Sequence, residues 1–250
     1  MPTALVTGAT AGIGLEFARQ LAARGHNLVL VARDTERLES VAGTLQATYG
    51  VGAEVLTADL TDRSGLALVE DRVASSDRPV ELVVNNAGFG LKRRFLDNDV
   101  EQEQAMLDVL VVAVMRLSHA ALGAMSKRGS GGIINVSSVA AFLPRGTYSA
   151  AKAYVNSFGA CAANEYRPRG VTVTTLCPGF TKTEFHERMD VRRGSGYLWL
   201  EADFLVAKCL EDFDKGRAMS IPGRQYQAIT TAARIVPTRL AQRFQNLGRR

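Results

Sequence analysis

The chain has 250 residues, 46% of them hydrophobic and 22% charged, the composition of a globular protein rather than a disordered one. Its longest uninterrupted apolar run, Val109 to Met115, is seven residues long, against roughly 20 for a membrane-spanning helix. The net charge is +5, but eight of the 30 basic residues lie from Lys215 onward with no acid among them, leaving 22 bases against 25 acids before that point. The basicity belongs to a C-terminal tail, and a body of net charge −3 gives no case for a nucleic-acid partner.

Short apolar runs alternate with longer helical patterns along the chain. Strands are expected at 4–7, 27–32, 54–57, 80–84, 132–137, 171–177 and 218–221, and helices near 13–24, 35–48, 63–75, 101–126, 147–165 and 201–211. Runs such as Leu28-Val29-Leu30-Val31 are apolar at every position, as strands covered on both faces must be. The pattern predicts an α/β fold, a Rossmann-type doubly wound parallel sheet of about seven strands, in a single domain over residues 1–250. No repeat or linker divides it; residues 182–200 are weakly patterned, 182–212 is the expected substrate-lid region and 224–250 form the basic tail.

Directly after the first strand stands Thr7-Gly8-Ala9-Thr10-Ala11-Gly12-Ile13-Gly14, followed by a helix. Glycines so placed permit a tight turn, close backbone approach to a phosphate and close helix–strand packing, with the helix N-terminus facing the anion. The second strand ends Ala32-Arg33-Asp34. Ala32 offers no carboxylate to a ribose 2′-hydroxyl, whereas Arg33 would pair with a 2′-phosphate, and Asp34 suits the N-cap of the next helix. NADP(H) is therefore favoured over NAD(H).

Further motifs follow in fixed order: Asp59-Leu60 after the third strand, Asn85-Asn86-Ala87-Gly88 after the fourth, Ser138 after the fifth, Tyr148-x3-Lys152 opening the next long helix, and Pro178-Gly179-Phe180-Thr181-Lys182-Thr183 after the sixth. Over residues 4–183 this set resembles the short-chain dehydrogenase/reductase family. The resemblance implies that Gly8, Thr10, Ala11, Gly12, Ile13, Gly14, Asp59, Leu60, Asn86, Ala87, Gly88, Pro178, Gly179, Thr181 and Thr183 border the cofactor. Ser138, Tyr148 and Lys152 are implied as the catalytic group, the last two also contacting the cofactor. It further implies a carbonyl or alcohol substrate and a homodimer or homotetramer, while three cysteines without a disulfide pattern lead us to expect a reducing compartment, the cytoplasm.

Tyr148 and Lys152 are four residues apart and share a helix face. A nearby ammonium is expected to lower the phenol's pKa, and a serine hydroxyl to hold a developing alkoxide. Of the adjacent Ser137 and Ser138, the second matches the family's catalytic serine. Its ten-residue separation from Tyr148 is shorter than the family usually shows, so the loop containing Pro144 and Gly146 must be compact. One position departs further. Where the family carries a water-holding asparagine, Leu110 stands, and leucine forms no hydrogen bond. Two readings follow: an NADP(H)-dependent oxidoreductase, or a cofactor-binding sensor or scaffold with weak or lost catalysis. Asp108 lies about 200° around the helix from Leu110 and does not replace the asparagine.

His186, Met189, Tyr197, Leu198, Trp199 and Phe204 give the lid region an apolar character, consistent with a hydrophobic substrate or with packing onto the domain. Phe89, Phe142 and Leu143 are further candidates for the pocket wall. The tail interleaves apolar residues with arginines and is interrupted by Pro237. It suits a docked helix, with peripheral membrane contact as the alternative. Cys161, Cys177 and Cys209 form no CxxC pair, and His26, His119 and His186 show no metal-ligand spacing, so no metal site is expected.

Overall fold

The computed structural model describes residues 1–182 and 196–235, without the side chains of Arg234 and Ile235. Seven strands form one parallel sheet: β1 (Thr3–Thr7), β2 (Asn27–Ala32), β3 (Ala53–Thr57), β4 (Leu82–Asn85), β5 (Gly131–Val136), β6 (Val171–Leu176) and β7 (Met219–Ser220). Their spatial order is β3-β2-β1-β4-β5-β6-β7. The order reverses between β1 and β4, the place where a doubly wound sheet opens a crevice at its strands' C-terminal ends. Gly8 and Asn86 stand at those two ends.

The helices are α1 (Gly12–Ala23), α2 (Thr35–Tyr49), α3 (Arg63–Ala74), α4 (Val100–Leu107), α5 (Val114–Arg128), α6 (Thr147–Tyr166), α7 (Ala202–Asp214) and α8 (Arg224–Ile235). Alternate strand residues feed two separate cores. Val6, Leu28, Leu30, Val84 and Ile134 pack on one face with α1, α2 and α7. Leu5, Val29, Val31, Val83 and Ile133 pack on the other with α3, α5 and α6. This two-sided burial is why the strand sequences show no polar alternation.

Three features differ from the sequence expectation. The fourth strand begins at Leu82 rather than Val80, and the seventh is only two residues long. The helix expected over 101–126 is not uniform: α4 and α5 are joined by the wider-wound π segment Asp108–Ala113. The stretch Val100–Arg128 is also long and apolar enough, by length and composition, to cross a membrane, which a count of uninterrupted apolar residues had missed. Half of its most apolar window is buried in the fold, where α5 packs against the sheet.

Candidate active site

The glycine loop is held by side chains from both flanking strands. Gly8 and Gly12 adopt φ of +68° and +56°, conformations that favour glycine. A β-carbon on Gly14 would collide with the carbonyl oxygen of Gly8 and with Asn86 Nδ2. Asn86 donates to the carbonyls of Thr7 at 2.9 Å and Gly8 at 3.2 Å. Thr7 Oγ1 in turn accepts from the backbone N–H groups of Asn86 and Ala87, both at 3.0 Å, and donates to Val84 O. Asn86 thus joins β4 to the loop through its amide. Thr7, which the sequence analysis left outside the site, is the hinge of the arrangement. Its signal was a threonine directly before the first glycine.

Aspartates cap the first turns of three helices: Asp34 that of α2, as expected, Asp62 that of α3 and Asp99 that of α4. No side chain caps α1, and no acid lies in its first turn. Thr10, Ala11, Gly12 and Ile13 therefore present uncapped N–H groups and the positive end of the dipole, the chemistry a pyrophosphate requires. The residues present fit a dinucleotide. At the end of β2 the exposed guanidinium of Arg33 lies 3.8 Å from Asp59. A pair this long and this solvated holds the arginine weakly. Asp59 also accepts from Thr61 N and Oγ1, while Leu60 is buried in the core.

At the end of β5 the two serines diverge. Ser137 is buried, and its Oγ donates 2.9 Å to the backbone carbonyl of Lys152, fixing α6 against the strand. Ser138 begins a short turn over Val139–Phe142, where its Oγ accepts from Ala140 N at 3.1 Å. Its hydroxyl is also hydrogen-bonded to that of Tyr148. The compact loop therefore still brings Ser138 to Tyr148.

Lys152 is 4% exposed, and its Nζ donates 2.7 Å to Val136 O, with the ammonium 5.9 Å from the Tyr148 ring centroid. Burial lowers its pKa to about 8, a fall that nearby Cys177 partly opposes. The expectation that Lys152 depresses the Tyr148 pKa needs correcting. Burial raises the phenol to about 12, and the Ser138 hydrogen bond opposes the rise. The physical reason is that desolvation penalises both charged forms at once, and the ammonium is directed at a carbonyl instead.

Leu110 is fully buried within the π segment and packs in a cluster with Met106 and Ala151, against which Tyr148, Phe89 and Leu91 rest. A β-carbon placed on Gly88 would lie 2.7 Å from Leu110 Cδ2 and 4.0 Å from Lys152 Nζ. The leucine thus fills the space between the Gly88 turn and the lysine with hydrocarbon. Asp108 turns elsewhere and accepts from Gln104 Nε2 at 2.8 Å.

Beyond β6, Pro178 O accepts from Val139 N, tying this loop to the Ser138 turn. A β-carbon on Gly179 would meet the Tyr226 ring. The Tyr226 hydroxyl accepts from Phe180 N at 2.9 Å and donates to Leu198 O. Tyr226, 3% exposed on α8, is thus a second contributor missed in the sequence, since nothing local links it to residue 179. Thr181 is buried, donates to Gly179 O and bridges to Leu200. Trp199 packs on Phe180 with ring centroids 5.4 Å apart, so its role here is packing. Thr183, His186 and Met189 lie outside the described residues, as do Pro237 and the rest of the tail from 236.

The sequence profile of the short chain dehydrogenase family matches residues 2–193. The chain belongs to this family. It is accordingly an oxidoreductase family member, of a family that acts on small-molecule carbonyl and alcohol substrates. Among its relatives, an uncharacterized oxidoreductase of Staphylococcus epidermidis is 35% identical over 190 residues, covering 75% of this chain and 81% of the relative. A short-chain dehydrogenase from Sphingobium yanoikuyae, solved in complex with NADPH, superposes with TM-score 0.86 at 34% identity over 94% of each chain. A bulky-bulky ketone specific alcohol dehydrogenase from Comamonas testosteroni gives 0.82 at 30% identity, covering 94% of this chain and 92% of that one.

Proposed function

We propose that the protein is an NADP(H)-dependent oxidoreductase interconverting a ketone or aldehyde with the corresponding alcohol, on a hydrophobic substrate. The observation that carries the reading is the hydrogen bond joining Ser138 to Tyr148 one helical turn before buried Lys152, beyond the same edge of the sheet as the glycine loop. A bound nicotinamide supplies or accepts the hydride. The Tyr148 hydroxyl gives a proton to the substrate oxygen in reduction and takes it back in oxidation, while Ser138 holds that oxygen by a hydrogen bond. Lys152, buried and close to its working range, holds the cofactor ribose and resupplies the proton.

Arg33 supports the choice of NADP(H): it is exposed, only loosely paired, and stands at the end of β2 where an acid would otherwise meet the 2′-hydroxyl. The NADPH complex of the Sphingobium relative agrees with this choice. Apolar Phe89 and Leu91 beside Tyr148, and the bulky-ketone specificity of the Comamonas relative, support an apolar substrate.

A panel of aliphatic and aromatic ketones and aldehydes, followed through NADPH absorbance, tests the reading. Turnover is expected with at least one of them, and Tyr148→Phe is expected to abolish it while leaving NADPH binding intact. Turnover that survives the substitution overturns the mechanism. The second reading, a cofactor-binding sensor or scaffold with weak or lost catalysis, is favoured by Leu110 alone. Tight NADPH binding with no turnover across the panel would establish it.

A further inference from the structure

The helix α8 reaches the loop beyond β6 through one side chain. β7 pairs with the end of β6, Ser220 beside Leu176, so the chain leaving β7 begins α8 next to Pro178 and Gly179. Tyr226, in the first turn of α8, lies so close to Gly179 that a β-carbon there would fall on its ring. A phenylalanine would meet that packing equally well. The hydroxyl does more, accepting from Phe180 N at 2.9 Å and donating to Leu198 O, and so uses both capacities of a phenol. Beside it Gln225 Nε2 donates 3.1 Å to Tyr197 O.

These bonds tie together two segments whose backbone pairing is a single bridge. Thr181 stands opposite Leu200, with Leu200 N donating to Phe180 O at 2.9 Å and Lys182 N to Leu200 O at 3.0 Å. Tyr226 adds a second tie between the same segments and anchors both to α8. The helix also packs against the turn Val139–Phe142, which Ser138 begins, and Val139 N donates to Pro178 O. One buried hydroxyl thus stands where the loop beyond β6, the segment 197–200 and the serine turn meet.

We propose that Tyr226 is a positioning residue for the nicotinamide half of the cofactor, fixing through the Phe180 amide the loop 178–181 that borders it. The inference rests on the cofactor site of the proposed function. Its effect is confined to one half of the ligand, because the glycine loop and Arg33 lie at the ends of β1 and β2, across β4 and β5 from this loop.

Titration of the full chain with NADPH and with 2′-phospho-ADP-ribose, which lacks the nicotinamide ring, tests this. Tyr226→Phe keeps the ring against Gly179 and leaves Phe180 N and Leu198 O without the hydroxyl. The NADPH Kd is expected to rise about tenfold, while that of 2′-phospho-ADP-ribose stays within about twofold. Trp199, the only tryptophan of the chain, packs on Phe180. Its emission is expected to shift in this variant before any ligand is added, reporting that the loop has moved. Thr231→Ala, exposed on the same helix, is the control and should change none of these readings. An unchanged NADPH affinity or an unchanged emission overturns the proposal. So does an equal loss for both ligands, or a variant unfolded by circular dichroism, because the hydroxyl then serves stability and not placement. A wild type that does not bind NADPH overturns the proposed function itself, and this inference with it.

Discussion

Lys152 Nζ donates a 2.7 Å hydrogen bond to the carbonyl of Val136, the last residue of β5. Buried on all sides, the ammonium has a pKa of about 8 rather than the usual 10.5. The unfolded chain therefore binds more protons than the folded one between these values, and folding stability rises as pH climbs through that window. Thermal or urea unfolding is expected to show a gain on the order of 2–3 kcal/mol from pH 8 to 10.5. Lys152→Met should lack this gain, and the difference between the two proteins removes the opposing contributions of Tyr148 and Cys209, whose pKa values burial raises. The same variant should have no turnover. Parallel stability–pH curves for the two proteins would show that Lys152 is not the group responsible.

Leu110 closes the space beside that lysine with hydrocarbon, so Leu110→Asn places an amide where the family's water-holding side chain stands. The substitution buries a polar group and is expected to cost about 1–3 kcal/mol of stability. If reprotonation of Lys152 limits the wild type, kcat rises on the order of tenfold while KM changes little. An unchanged kcat would mean that the lysine already exchanges protons by another path.

Arg33→Ala removes the cation assigned to the 2′-phosphate. A lost charge-assisted hydrogen bond is worth about 1.5–3 kcal/mol, so the NADPH Kd is expected to rise about 10- to 100-fold, with little change for NADH. Fluorescence titration with both cofactors reads the difference. Equal losses would assign Arg33 a general structural role.

Gly14→Ala inserts a methyl group against Gly8 O and Asn86 Nδ2, two atoms of the clasp that shapes the phosphate loop. Overpacking of this kind costs about 1–3 kcal/mol. A lower Tm and loss of NADPH affinity are expected together. Gly43→Ala, in open space on α2, serves as the control and should leave both unchanged or raise the Tm slightly.

Much of the fold was legible because its determinants are local. Doubly buried strands must be apolar at every position, and a phosphate loop must have its glycines next to the strand and helix that carry it. The sequence by itself therefore determined the seven-stranded α/β architecture, the position of the nucleotide loop, the Asp34 cap and the i, i+4 relation of Tyr148 to Lys152. It also marked Leu110 as the departure from the family pattern. Ser138 was already the choice between the adjacent serines by resemblance, and the tertiary structure supplied what each one meets: Ser137 the α6 backbone and Ser138 the Tyr148 hydroxyl. It alone showed Thr7 clasping Asn86, Tyr226 sealing the Gly179 turn from 47 residues away in sequence, and Lys152 directed at a carbonyl rather than at the phenol. Periodicity reports which face of an element is buried. Burial by distant segments decides what each polar group on that face meets, and hence the direction in which its pKa moves.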